Sequence, residues 1–348
     1  FDPFYISSGL AAASNIRIFT RQDTHSYAAF AQGSYKLTDR LTATAGIRYS
    51  EDHRDFEGRT FAAPGNAQPE GTLLAQGEDD AKFPKVTWRL ALDYKVSDHV
   101  LVYGSYSRGY KSGEFNLTSS TEPFVRPETL DALEVGFKTE LFDRTLRLNG
   151  SAFHYDYKDI QLYSVQSGTS RLLNAANGRI RGAELELTYV PRIGFGNLQI
   201  TSSLSLLDAK YRRFPAGVLT TPRPGGGNDQ IVTDLSGNRM ASAPKWTAQI
   251  GVDYGLPIGS DELRLSVNYY HNDGFYWDYG NRLREPSYDV VNGQIGYSFG
   301  DNQQYRLRAF AKNLFDERYY IYAQEGTLGD LASAALPRTY GIGFDVKF

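Results

Sequence analysis

The chain has 348 residues, 14% of them aromatic, with 25 Tyr, 20 Phe, 3 Trp, one Met and no Cys, at a net charge of −3. The lack of Cys excludes disulfide frameworks, thiolate zinc sites and a cysteine nucleophile together, and a pI near 6.0 with no clustered basic stretch gives no footprint for a nucleic-acid partner. Mean hydropathy is −0.44 and no run of eighteen apolar residues occurs; this removes a transmembrane helix but not a transmembrane β-strand, which needs only about ten alternating residues.

This length fits two or three ordinary soluble domains or one large all-β domain. Position 1 is Phe, without a basic n-region or an apolar h-region, so the expectation is a mature form or a fragment. Residues 24–37 read as a strand and Thr38, Asp39 and Arg40 as a tight turn. Leu41, Ala43, Ala45, Ile47 and Tyr49 then alternate with Thr42, Thr44, Gly46, Arg48 and Ser50, the period-2 signature of a strand with two unlike faces. Residues 55–81, rich in Gly, Pro, Asp and Glu, predict a long loop.

A third strand is expected over 82–96, a turn at 97–99 and a return over 100–111. The pattern then predicts a loop at 112–127, a strand at 128–141, a turn at Asp143 and Arg144, and a strand at 145–158. A short connection near 166–170 and a strand at 180–190 follow. The next strand starts near Leu198 and leads into the longest loop, 211–243. The last third alternates cleanly through Trp246 to Tyr254, Leu263 to Tyr269, Val291 to Phe299 and Tyr305 to Ala311, with an aromatic loop at 272–284 and another loop at 313–337. In 145–158 the phase set by Leu146 and Leu148 is inverted by Tyr155, Tyr157 and Tyr163, which predicts either a bulge near Ala152 or rings turned to the polar face.

Thirteen strands result, mostly of ten to fifteen residues, with short turns at one end and long loops at the other. Strands of soluble sandwiches average about five or six residues and their loops scatter to both ends. Mid-strand charges such as Arg48, Arg89, Asp93, Glu184, Glu186, Asp253, Arg264, Arg306, Arg308 and Lys347 lie opposite apolar faces. They would be costly inside a sandwich and are at ease in a wet or plugged lumen. The fold class predicted is therefore all-β, an antiparallel transmembrane barrel.

The chain closes on a strand, with Tyr340, Ile342, Phe344, Val346 and Phe348 alternating against Gly341, Gly343, Asp345 and Lys347. This stretch, led by Pro337-Arg338-Thr339 and by 312–320 (KNLFDERYY), resembles the end of a TonB-dependent outer-membrane receptor. Stretches 103–113 (YGSYSRGYKSG), 126–130 (RPETL), 155–160 (YDYKDI) and 178–186 (GRIRGAELE) resemble the same family in the same order. The resemblance implies a 22-stranded barrel in the bacterial outer membrane, plugged by an N-terminal domain and importing scarce nutrients such as ferric siderophores, haem or cobalamin, with energy from the TonB complex. It further implies that residues 1–348 hold the C-terminal thirteen or so strands, without the plug and the TonB-contacting motif that lie ahead of them. Outer-membrane lipid, lipopolysaccharide and the barrel assembly machinery are the other partners implied, with Tyr340, Ile342, Phe344, Val346 and Phe348 as the assembly signal.

Five His, at 25, 53, 99, 154 and 271, lie at no metal-ligand spacing, and no Ser sits in an elbow motif, so neither a metal, a cofactor nor an enzymatic activity is expected. Phe275, Tyr276, Trp277, Tyr279, Arg282 and Arg284 join two well-written strands on the long-loop side. Aromatic rings there suit flat or catecholate ligands and guanidinium groups suit an anionic chelate, the bland alternative being a girdle at the headgroups. Tyr110 and Lys111 end another strand on that side. The expected cargo is a ferric siderophore or similar metal chelate, with an oligosaccharide, cobalamin or haem importer, or a passive porin, as the alternatives.

Overall fold

Backbone pairing carries the alternation into one antiparallel sheet in a computed structural model that describes residues 4–6, 15–166 and 169–347. In chain order the strands are β1 (Phe4–Ile6), β2 (Ile16–Lys36), β3 (Leu41–Ala62), β4 (Leu73–Ser97), β5 (Val100–Lys111), β6 (Glu128–Leu141), β7 (Leu146–Gln166), β8 (Thr169–Tyr189) and β9 (Asn197–Arg213). They continue through β10 (Gly217–Pro222), β11 (Asn228–Thr233), β12 (Trp246–Ile258), β13 (Asp261–Asn272), β14 (Phe275–Tyr276), β15 (Arg284–Glu285) and β16 (Tyr288–Phe299) to β17 (Tyr305–Lys312), β18 (Tyr320–Gln324), β19 (Leu331–Ala334) and β20 (Thr339–Val346). Fourteen of them form the sheet, each beside its chain neighbour, and the hairpins β10–β11, β14–β15 and β18–β19 stand apart within the connections. All but β1 have eight residues or more, which gives the thirteen strands expected.

The pairing sorts side chains by face. Leu41, Tyr94, Val102, Phe137, Gly150, Leu185, Leu204 and Ala248 stand in one cross-strand row, and Leu198, Tyr254, Leu265, Ile295, Ala309 and Ile342 in another. Large members of this face are open to the surroundings: Leu92, Leu133, Val135 and Val267 are each about half exposed. A continuous apolar face of that extent is a lipid contact. The opposite face bonds polar groups to one another, as in Asp253 with the Ser266 hydroxyl at 2.5 Å and Arg308 with Asp345 at 3.0 Å.

Tight turns join the strands at one end. In the first, the Thr38 hydroxyl accepts the Arg40 and Leu41 amides; in the turn before β7, Phe142, Asp143 and Arg144 all take positive φ. At the other end, β3 and β4 run much further than the sequence pattern allows. The loop expected over 55–81 is confined to 63–72, because Asp55 pairs with Asp80, Phe56 with Asp79, Glu57 with Glu78 and Gly58 with Gly77. Outside the lipid both faces are wet, so the polar alternation disappears while the backbone ladder continues. The same reason extends β2 back to Ile16, β7 to Gln166 and β8 back to Thr169; residues 167 and 168 lie outside the described part.

No bulge falls near Ala152, since β7 pairs in register with β8 from Leu146 through Tyr157. Instead the Tyr155 and Tyr157 rings lie on the polar face, where their hydroxyls donate to Glu134 (3.5 Å) and Glu128 (2.5 Å). The register slips only past Tyr157, at Asp159, whose φ is 53°. The closing strand β20 pairs with β17 and exposes Tyr340, Ile342, Phe344 and Val346 on the apolar face, 81% and 79% for the first two; Phe348 lies outside the described residues.

Candidate functional site

The aromatic loop 273–287 is built around two buried carboxylates. Gly274, at φ 83°, lets the chain turn where a Cβ would stand 2.5 Å from the Glu285 carbonyl, and Phe275 and Tyr276 then pair with Glu285 and Arg284. Asp278 caps the tip by accepting the amides of Arg282 at 3.0 Å and Leu283 at 2.7 Å. Glu285, 1% exposed, accepts the Trp277 indole N–H at 3.1 Å and the Tyr320 amide at 3.1 Å. Trp277 also meets Phe275 edge to face at 4.7 Å.

Two neighbouring connections close on this loop. Arg282 forks onto Asp330 with two bonds of 2.7 Å and comes within 3.6 Å of Glu325, both on the β18–β19 connection. The Asn228 side chain, at the start of β11, donates to Asp330 at 3.0 Å and to the Gly326 carbonyl at 2.6 Å. Asn281 exchanges bonds of 2.9 Å with both backbone groups of Arg239. Tyr279 packs on Phe214 at 5.5 Å and its hydroxyl reaches the Tyr163 carbonyl at 3.0 Å, joining a core of Ile160, Ala176, Tyr211, Phe214 and Leu235.

Burial, and next the negative charge of Asp278, pushes the Glu325 carboxyl up to about 7, against the opposing pull of Thr220 and Arg282. Asp330 moves the other way, held low by the Arg282 guanidinium. Arg282 and Tyr279 are therefore engaged in holding loops together, whereas Arg284 is exposed and Phe275, Tyr276 and Trp277 are half-buried at the same tip.

Tyr110 and Lys111 are not brought to that tip. They end β5, with β6, β7, β8, β9 and β12 between them and β13. The Tyr110 hydroxyl donates to Asp52 at 3.3 Å and Lys111 lies 3.7 Å from Glu114. Beside them stands an aromatic cluster that the sequence reading missed. Phe115 stacks on Phe56 at 4.9 Å and meets Phe124 at 5.7 Å, and Phe124 meets Phe83 at 5.3 Å, which docks 112–127 on the tall ends of β3 and β4. Phe56 fell in the segment 55–81 and Phe115 and Phe124 in 112–127, both read as loops, and Phe83 at the edge of the first. The docking needs a glycine at 77, where a Cβ would stand 2.2 Å from the Ser120 carbonyl oxygen. Gly77→Ala is expected to lift this connection at a cost of about 1–3 kcal/mol, seen as faster chymotryptic cleavage after Phe115 and Phe124 in the folded protein; unchanged cleavage would contradict the packing.

A family model described as the TonB dependent receptor-like β-barrel matches residues 2–314. The chain belongs to the TonB-dependent receptor family. The pesticin receptor of Yersinia enterocolitica is 25% identical over 357 residues, covering 99% of this chain and 46% of that protein. The structure of the ferric yersiniabactin uptake receptor FyuA of Yersinia pestis agrees with a TM-score of 0.77 at 21% identity, over 96% of this chain and 47% of that one. The siderophore receptor PiuA of Acinetobacter baumannii agrees at 0.72 with 19% identity, over 94% and 44%. The chain thus spans about half the length of the relatives it matches.

As a TonB-dependent receptor the protein is an outer-membrane β-barrel protein, and its family and these neighbours are transport receptors rather than enzymes. The short turns of such barrels face the periplasm and the long loops the exterior, and both loop clusters lie at the long-loop end of the sheet. The apolar depression lined by Leu90, Leu92, Leu133 and Val135 lies on the lipid face.

Proposed function

We propose that the receptor imports a ferric siderophore or a closely similar metal chelate across the outer membrane, energised through TonB. The observation that carries this reading is the similarity of nearly the whole of this chain to 46% of the pesticin receptor, together with the fold shared with a ferric yersiniabactin receptor. In this reading Arg284, Phe275, Tyr276 and Trp277 offer the chelate a cation beside aromatic faces, and Tyr110 and Lys111 offer a second contact from β5. Arg282 and Tyr279 position the loop. The closing segment, Tyr340 to Phe348 in the sequence, serves as the signal for the barrel assembly machinery.

The test is iron-limited growth and radiolabelled iron uptake in a deletion strain supplied with single ferric chelates. Wild-type receptor is expected to restore uptake of one of them, and Arg284→Ala with Trp277→Ala to lower its apparent affinity by about tenfold or more, at roughly 1–2 kcal/mol for losing one charge-assisted and one aromatic contact. Uptake indifferent to the receptor for every ferric chelate, with a phenotype on an oligosaccharide or cobalamin instead, would overturn the reading.

A further inference from the structure

The polar face of the sheet, which is the lumen side of a barrel, carries its charges unevenly. On β2, β3 and β4, from the level of Arg54 down to the short turns, it presents six cations, Arg54, Lys85, Arg48, Arg89, Lys95 and Lys36, against two carboxylates, Asp52 and Asp93. The register sets Ser50 opposite Lys85, Gly46 opposite Arg89, and Thr42 opposite both Asp93 and Lys36. Arg48, Asp52 and Arg54 share the phase of Ser50 on β3, and Lys95 that of Asp93 on β4, so all lie on one face. Successive rows are about 7 Å apart along the strands. The cations therefore descend the wall as a ladder, with Arg54 at the long-loop end and Lys36 at the first tight turn.

The ladder is unpaired. Among the described residues no ion pair holds any of the six, whereas on the wall from β13 to β20 Arg264 is paired with Glu262 at 3.1 Å and Arg308 with Asp345 at 3.0 Å. Arg48 donates to the Ser50 hydroxyl at 2.9 Å, a neutral partner, and Asp52 accepts from the Ser26 and Tyr110 hydroxyls. The Arg54 Nε is buried with no hydrogen-bond partner. On β6 and β8 the same face is acidic at mid-strand, with Glu134, Glu184 and Glu186 against Lys138. The surplus of positive charge thus belongs to one wall.

We propose that this wall is the lane along which the cargo crosses the barrel, and that the cargo is a net anionic chelate. Like charges crowded on adjacent strands repel one another, and a row of one sign between low-dielectric walls concentrates ions of the opposite sign. Arg48 and Arg89 are exposed, so each holds an anion only weakly. Passage needs that combination, attraction enough to enter and several weak sites from which to leave. The proposal rests on the import of a metal chelate argued above and narrows it, because a neutral chelate gains nothing from the ladder. Contacts at the long-loop end select the cargo; the lane sets how fast it passes.

The test is uptake of radiolabelled iron by cells carrying the full-length receptor, measured over a range of chelate concentrations. The panel holds ferric tris-catecholate and ferric citrate, which are anionic, and ferric tris-hydroxamate, which is neutral. The wild type is expected to import an anionic member. Arg48→Gln, Lys85→Gln, Arg89→Gln should lower its maximal uptake rate about tenfold, at roughly twofold per cation, with the half-saturating concentration unchanged. Arg48→Lys, Arg89→Lys, which keeps the charge without the fork, should run at the wild-type rate. So should Arg264→Gln, Arg306→Gln, Arg308→Gln, which removes the same charge from β13 and β17. Heat-modifiable mobility checks that each variant is folded; should the first fail, Arg48→Gln and Arg89→Gln singly carry the test, each about twofold slower. Import of the neutral chelate alone would overturn the proposal, as would anionic uptake indifferent to the lane variant or equally slowed by the β13 and β17 variant. A lane variant that admits bulky antibiotics and slows every chelate alike would overturn it too, as the mark of a wall that only anchors a plug. In each of these cases import of a chelate stands, and that reading falls only where the wild type restores uptake of no ferric chelate.

Discussion

Val267→Arg is expected to deplete the folded receptor in the outer membrane severalfold, while Ser266→Arg, one residue away, leaves its level close to wild type. Val267 lies mid-way along β13 between Val252 and Gly293 and is 49% exposed on the apolar face. A guanidinium there must either enter hydrocarbon or bend away to the interface, at a cost of about 2–4 kcal/mol near the bilayer centre. Ser266 points the other way, bonded to Asp253 and bordering a polar depression lined by Asn268 and Arg308. An arginine at 266 loses one hydroxyl bond but finds the Asp253 carboxylate, so the two effects roughly cancel. Heat-modifiable mobility of the two variants measures the difference directly. Equal depletion would mean that the two faces are not divided between lipid and water.

What the sequence made legible follows the lipid. Where one face meets hydrocarbon and the other water, alternation is compulsory, and strands such as β12 and β16 were readable to the residue at one end, Trp246 and Phe299, and run on past the expected Tyr254 to Ile258 and back past the expected Val291 to Tyr288 at the other. Where both faces meet water the rule lapses. Asp79, Asp80 and Glu78 look like loop residues, yet their backbones pair with Phe56, Asp55 and Glu57. The aromatic tip at 275–279 was visible as composition, but its organisation was not, because Glu285 and Asp330 contact it from eight and some fifty residues away through geometry that only the closed loops create. Arg282 shows the limit most clearly. As a residue type it suits an anionic ligand, and two carboxylates of its own chain have taken that place.

That arrangement makes the outer loops sensitive to acid, with a sign that can be worked out. An accessible glutamate titrates near 4.5, whereas closed loops hold Glu325 near 7 because the site is half-buried and faces Asp278. Protonation is thus favoured by closure: the contribution of Glu325 to closure is fully present below about 4.5 and is lost as pH rises to about 7. Asp330, held low by Arg282, contributes above its ordinary range and is lost only in stronger acid, so it is constant across the interval between pH 5 and 8. Amides that close the loops, such as Ser242 on the Tyr276 carbonyl and Trp277 on the Leu283 carbonyl, should therefore exchange more slowly at pH 5 than at pH 8 once intrinsic rates are divided out. Glu325→Gln, neutral at every pH, should hold the protected value at pH 8 and abolish the difference. Arg282→Ala should act in the opposite sense and more strongly. It strands Asp278, Glu325 and Asp330 around an empty position and removes a two-bonded fork with a side chain only 18% exposed, a loss of about 2–3 kcal/mol in local closure. Protection in β12 and β13 should stay unchanged in both variants, because the sheet does not depend on the latch. Exchange at these loop amides that is indifferent to pH in the wild type, or still pH-dependent in Glu325→Gln, would show that Glu325 is not the group that couples closure to protons.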